Sequence, residues 1–489
     1  MNDILPYVVY SLPWLVAAGL SVALVLGVGV GVAWPRLLVY PYLLVFFWVN
    51  STSYGSLALF ASRSIYSRGS GMLLFGVLLW YILGAWLCAR VAASFQGAPA
   101  PACNLRPWLL GWAVLLACHV GAGLVLGVGV AESLAPSGFS NIVWMAPLIS
   151  LMLLAFRSRA QALELARFIM LAGLARALFG LGRWAVLGGD PNNVYANMNA
   201  IQIRLTFFDI NDSLLCTLAF ALAAVSLSQA RQEQRAGAWR AVEWLALAAS
   251  ALCVLLSYRR SAWIGFLLAV AVLMWRLPAR RRLQMALAGI PLVGAAVAFV
   301  VTRRLAHTRD GAGANAGGAS LFHDLQSGRF GPESERVLEL KLALADLLAH
   351  PLAGIGSWGR YHGHELISWQ NNPDGGLFLH SGLLHIALKS GLLGTMLLAG
   401  TIAAFVLFTR RALATLPPEL LGLAAAGAAG LAFMLPDFLV GTPFPQVRTT
   451  QMLALCLSLP YVAMGAAQAA HVRPGLAPHM PRPQLVAAG

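Results

Sequence analysis

A succession of apolar runs, each close to the length needed to cross a bilayer, constrains this chain more than any other feature. About 20 apolar residues at a 1.5 Å rise span the roughly 30 Å hydrocarbon layer. Runs of that kind, bounded by Arg, Pro or Gly, lie near 7–33, 37–60, 71–91, 108–130, 142–156, 166–187, 207–228, 242–257, 261–276, 283–301, 379–408, 419–437 and 449–467. They predict an all-α, polytopic transmembrane helix bundle of about 13 spans, or about 12 if the short run holding Pro147 is re-entrant. Composition agrees: 59% of the 489 residues are hydrophobic and 10% charged, too little polar surface to coat a soluble globule. The first run, Tyr7 to Val32, is too long for a cleavable signal and lacks a cleavage site, so it is expected to stay as an anchor.

The formal charge of +15 raises the question of nucleic acid, but the basic residues sit at the ends of apolar runs, which is the positive-inside pattern. Arg157, Arg159 and Arg167 form one cluster and Arg231, Arg235 and Arg240 another; Arg276, Arg280, Arg281 and Arg282 form a third, and Arg410 with Arg411 a fourth. All four share a side if the spans alternate, so that side is expected to be cytoplasmic. The predicted organisation is an N-terminal bundle over 1–301, an outward loop over 302–376, C-terminal membrane helices over 377–467 and a cytoplasmic tail over 468–489. The six cysteines lie in or beside apolar runs without CxxC spacing, which indicates neither a disulfide frame nor a metal site.

The long polar loop, Arg303 to Gly376, and the histidine after it carry the most chemistry. Residues 309–331 are rich in Gly and Ala and predict no packed structure. After Pro332, ESERVLELKLALADLLAH predicts an amphipathic helix ending at His350–Pro351. Helical spacing puts Glu335, Glu339 and Asp346 on one face and Arg336, Leu340, Ala343 and Leu347 on another. Arg336 thus ends the apolar stripe, where a charge needs a partner or a ligand. Snorkelling, or pairing with Glu333 or Glu339, is the alternative.

Next, PLAGIGSWGRYHGHE offers Trp358 and Tyr361 for stacking on a sugar ring. His380 then sits at the mouth of the following span, where an imidazole suits proton transfer near neutral pH, although a lone histidine at a helix start is more often structural. SYRRSAWIG places Arg259 and Arg260 in an outer turn, and QIRLTFFDINDS places Arg204 and Asn211 at the outer start of another span. Arg176 and Arg183 lie inside an apolar run, where a charge faces a cavity or a partner. Arginines from separate helices could thus converge on an anionic group such as a pyrophosphate; scattered interfacial arginines are the alternative. His362, His364, Glu365, Asp374 and His380 make only a weak case for a metal.

RLTFFDIND, RRSAWIG, the ESER…HPLAGIG segment and HSGLLHIALKSGLLG stand in an order that resembles the O-antigen ligase and polymerase superfamily, over roughly 200 to 465. The resemblance implies a multi-pass protein of the bacterial inner membrane with its active site toward the periplasm. It implies metal-independent transfer of a glycan from undecaprenyl diphosphate to a lipid A–core acceptor, with no cofactor and no nucleic-acid partner. His380 matches the family's essential histidine and would act as base; Arg260 and Arg336 match its arginines, with Arg204, Asn211 and Arg259 nearby for the diphosphate. Two positions depart from the pattern: Ser381 replaces the usual Asn after the histidine, and Leu340 stands where an aromatic residue is common. A polymerase of the same superfamily, an O-linked protein glycosyltransferase and, from another class, a polysaccharide flippase or exporter are the alternative functions.

Overall fold

The computed structural model describes residues 28–48, 72–96, 102–191, 204–229, 237–275, 332–371 and 375–472, with isolated positions at 294, 298 and 302. Among them are twelve helices of ten residues or more and no strand. They are α1 (Arg36–Trp48), α2 (Met72–Phe95), α3 (Arg106–Val125), α4 (Met145–Ala155), α5 (Arg159–Val186) and α6 (Ile210–Gln229), followed by α7 (Gly237–Leu255), α8 (Arg260–Trp275), α9 (Pro332–Ala349), α10 (Gly382–Thr415), α11 (Pro418–Val440) and α12 (Val447–Val472). Eight are long and apolar enough to cross a membrane. The protein is an all-α polytopic helix bundle, as the apolar runs predict. The run at 283–301, most of that at 7–33, and the Gly/Ala-rich stretch 309–331 lie outside the described residues.

Helix ends follow local chemistry. α5 starts at a capping box in which the Ser158 hydroxyl accepts from Gln161 N and the Gln161 side chain accepts from Ser158 N. α3 and α11 place proline in the first turn, where its missing N–H costs nothing. α9 stops at Ala349 because Pro351 disfavours helical geometry in the residue before it. Between α7 and α8, Tyr258 takes a left-handed φ of 53°, tightening the turn that presents Arg259 and Arg260.

The centre of the bundle is α6, α11 and α12, whose membrane windows are 72%, 78% and 72% buried, against 33% for α3, α7 and α10 at the periphery. Without water to drive association inside a bilayer, close backbone approach is what packs such helices. α11 supplies it with a run of Ala and Gly. A methyl group at Gly427 would press on the Cys456 carbonyl of α12, and one at Gly265 of α8 on the Phe433 carbonyl of α11.

Polar groups buried at one end of this centre tie four helices together. Arg448 of α12, fully buried, donates to Asp209 Oδ2 (2.8 Å), Asp212 Oδ1 (2.6 Å), and the Phe46 and Phe47 carbonyls at the end of α1 (2.7 and 3.1 Å). Arg176 of α5 donates to the same Asp212 oxygen at 3.0 Å. The two arginines and two aspartates thus balance in charge, as burial demands. Arg183 pairs with Asp190 at 3.0 Å and donates to the Thr206 carbonyl. Of the cavity or partner expected for Arg176 and Arg183, the structure supplies partners.

α10 is broken at Gly391 (φ 63°, ψ −155°). The loop before it fills the break: Ile355 N donates to the Leu388 carbonyl (2.8 Å), and Leu392 N donates to the Pro351 carbonyl (2.8 Å). The buried Lys389 ammonium donates to the Gly359 carbonyl. Gly354 has φ +70°, and a Cβ there would collide with the Leu388 carbonyl. Gly354→Val is therefore expected to destabilise the protein by about 3 kcal/mol or more, from steric overlap and left-handed strain together. Fluorescence-detected size exclusion after a heating series would register it; an unchanged melting temperature would refute the docking of loop into helix.

Candidate functional site

α9 and the chain that follows it make a small body with its own apolar core of Ala343, Tyr361, Ile367, Leu379 and Leu388. The face of α9 that carries Glu335, Glu339 and Asp346 is covered by protein. Residues 361–371 and 375–380 fold back over the acidic row, and each carboxylate becomes an acceptor for them. Glu335 takes Ser368 N and Oγ (3.0 and 2.7 Å), and Asp346 takes His362 N (2.7 Å) and faces its Nδ1 (3.0 Å). Glu339, fully buried, takes His380 N (2.9 Å) and Gln370 Nε2 (3.1 Å), and lies 3.1 Å from His380 Nδ1. Burial and the Glu339 charge push the neighbouring Tyr361 hydroxyl's pKa well up.

His380 stands one residue before Ser381, whose hydroxyl caps α10 by accepting from Leu384 N at 3.4 Å. Its side chain is 24% exposed and is held edge-on by Trp369 and Phe378, at ring separations of 5.4 and 5.6 Å. Across the mouth lies Asp437 near the end of α11, buried, within electrostatic reach of His380 and 4.0 Å from the Arg259 guanidinium. Arg259 also donates to the Phe208 carbonyl and lies over the Phe208 ring at 5.1 Å. Arg260 is half-buried at the start of α8. Arg336 precedes Glu339 by one helical turn, half-buried, with its Nε lacking a hydrogen-bond partner among the described residues.

The structure thus brings His380, Arg336, Arg259 and Arg260 to one end of the bundle, where the loop body meets the starts of α8 and α10. Arg204 is at the same end and exposed, its carbonyl accepting from Trp184 Nε1 at 3.1 Å. Asn211 is fully buried, donating to Asp209 and to Thr449 Oγ1 (2.8 and 2.9 Å), inside the ion network and away from any surface. Tyr361 is 1% exposed in the loop core. Trp358 packs over Gly123 and the His119 ring of α3, so it anchors the loop to the bundle. Of the histidines considered for a metal, His362 faces Asp346, His364 faces the Tyr361 carbonyl (2.9 Å), and His380 faces Glu339. No group of three potential ligands forms among the described residues. A cavity of about 450 Å³ opens at the opposite end, lined by Arg159, Arg167, Trp239, Glu243 and Glu419; it shares no residue with this cluster.

Sequence reasoning missed Asp437, Arg448 and the buried role of Glu339. A charge inside or at the edge of an apolar run was the available signal for the first two.

Residues 245–399, from within α7 through the break in α10, match the family model of O-antigen ligase. Over that stretch the chain is similar to the O-antigen ligase family. A comparison with curated proteins finds no match. The matched stretch holds Arg259, Arg260, Arg336, Glu339 and His380, whereas Arg204, Asp209 and Asp437 lie outside it. The O-antigen ligase match points to an enzyme of ligase or polymerase type acting on glycan or lipid-linked substrates in a bacterial membrane.

Proposed function

We propose that this protein is a metal-independent glycosyltransferase that moves a glycan from undecaprenyl diphosphate to a lipid A–core acceptor, at the periplasmic face of the bacterial inner membrane. A glycosyl diphosphate already carries a good leaving group. What the reaction needs is positive charge on the departing diphosphate and a base for the acceptor hydroxyl. Arg336, Arg259 and Arg260 are the groups for the first task, with exposed Arg204 at the rim, and His380 is the base. The observation that carries this reading is the meeting of a partly exposed histidine with arginines from the loop and from α8 at one end of the bundle. The end opposite the Arg159 and Arg167 cluster is then the periplasmic one. Two amphiphilic substrates held in the plane of the bilayer would meet there with their reacting groups oriented.

The test is reconstitution of purified protein with a lipid-diphosphate glycan and, separately, lipid A–core, a second carrier-linked glycan or a protein acceptor. Lipid A–core should become glycosylated, and turnover should persist in EDTA. Product only on the second carrier would make the protein a polymerase, and product only on protein a protein glycosyltransferase; flux without product would make it an exporter. In the same assay Arg336→Lys should lower turnover by at least about tenfold, because an ammonium does not reproduce the bidentate grip of a guanidinium on phosphate. Full turnover by Arg336→Lys would remove that arginine from the diphosphate site.

A further inference from the structure

The hydrogen bonds around His380 determine which of its ring nitrogens carries the proton. Gly376 N donates to Gln370 Oε1 (3.0 Å), and the Phe378 carbonyl accepts from Gln370 Nε2 (3.1 Å), so the Gln370 amide has one orientation. Its Nε2 therefore meets Glu339 Oε1 as a donor (3.1 Å). The backbone N–H of His380 occupies Glu339 Oε2 in the same sense (2.9 Å). Both oxygens of Glu339 are thus acceptors, and His380 Nδ1, at 3.3 and 3.1 Å from them, has to be the donor. A neutral imidazole with its proton on Nδ1 keeps its lone pair on Nε2. That nitrogen has no hydrogen-bond partner among the described residues.

We propose that Glu339 is a positioning residue for the transfer: buried beneath His380 and locked by Gln370, it holds the Nδ1–H tautomer and leaves Nε2 as the proton acceptor. This rests on the proposed glycosyl transfer. The acceptor oxygen bonds to the anomeric carbon, and its proton passes to His380 Nε2. The bond from that carbon to the diphosphate oxygen breaks, with its electron pair leaving on the diphosphate. The imidazolium, still held through Nδ1–H, returns its proton to water once the products separate. Orientation of a catalytic imidazole by a buried acceptor is a general device, and loss of it gives the wrong tautomer with little change in shape.

Glu339→Gln keeps the size of the side chain but has only one acceptor oxygen. Gln370 Nε2 and His380 N hold different oxygens of Glu339, so the single amide oxygen keeps one of them; in either orientation the new NH2 group lies beside Nδ1 and draws the ring proton to Nε2. Turnover is expected to fall by about 10²–10⁴-fold, with KM for the lipid-diphosphate glycan changed by less than about threefold. Nitrogen-15 spectra of ring-labelled protein, with His380 assigned by subtracting the His380→Gln spectrum, should show Nδ1–H in the parent and Nε2–H in Glu339→Gln. Glu339→Asp, which keeps two acceptor oxygens at shorter reach, should retain the parent tautomer and recover at least about a tenth of the turnover. Full turnover by Glu339→Gln, or lost turnover with an unchanged tautomer, would overturn the proposal. If His380→Ala transfers normally, the reading of the site fails; if His380→Ala is inactive and Glu339→Gln is not, the assignment of Glu339 alone fails.

Discussion

Replacing His380 by alanine should reduce glycan transfer by about 10²–10⁴-fold, the usual contribution of a positioned general base, while the protein accumulates normally in the membrane. Survival of the fold is expected because Glu339 keeps two of its partners, Gln370 Nε2 and the backbone N–H of residue 380, when the imidazole is gone. No buried carboxylate is left unpaired, and the ring is a quarter exposed, so little packing disappears with it. Transfer would be followed in the reconstituted system, with abundance checked by size exclusion. An exporter has no use for a base and would keep its flux in this variant. Transfer at the parent rate would remove His380 from the chemistry.

The second large effect concerns stability. Arg448→Ala should leave Asp209 and Asp212 partly uncompensated in the interior and the Phe46 and Phe47 carbonyls without their donor. Breaking a buried charge network from one side typically costs about 3–5 kcal/mol, a large share of what holds a membrane bundle together. The variant is expected to lose most of its monodisperse peak after detergent extraction. Arg448→Ala combined with Asp209→Asn should recover part of the loss, because Arg176 still pairs with Asp212 and no bare carboxylate remains. Undiminished thermal stability of Arg448→Ala would show that the network holds nothing.

The fold was legible because the bilayer imposes a length and an apolar composition on each span. Each apolar run falling among the described residues contains a helix. The site was legible in part. Arg259, Arg260 and His380 stand out by position alone, as charges or a titratable ring at the ends of spans, and Arg336 as a charge closing the apolar stripe of the loop helix. Glu339 does not, because a one-dimensional helical pattern assigns any carboxylate to water unless something is known to cover it. What covers it is the returning chain, whose donors to the acidic row come from positions 16–41 residues further on. The scarcity of acids was a usable hint: with only 18 Asp and Glu in 489 residues, a row of three on one helix face needs a reason. The Gly391 break was invisible, since a glycine in an apolar run is common among membrane helices.

That break has a bearing on how this region could be exchanged with that of a related chain. Residues 351–355 complete the backbone hydrogen bonding of α10 at Leu388 and Leu392, so the loop and the first turns of the helix are one inheritable module. A chimera cut at the membrane boundary near 377 would pair a foreign loop with a helix whose gap it does not fit. A graft running from 332 to about 395 carries lock and key together.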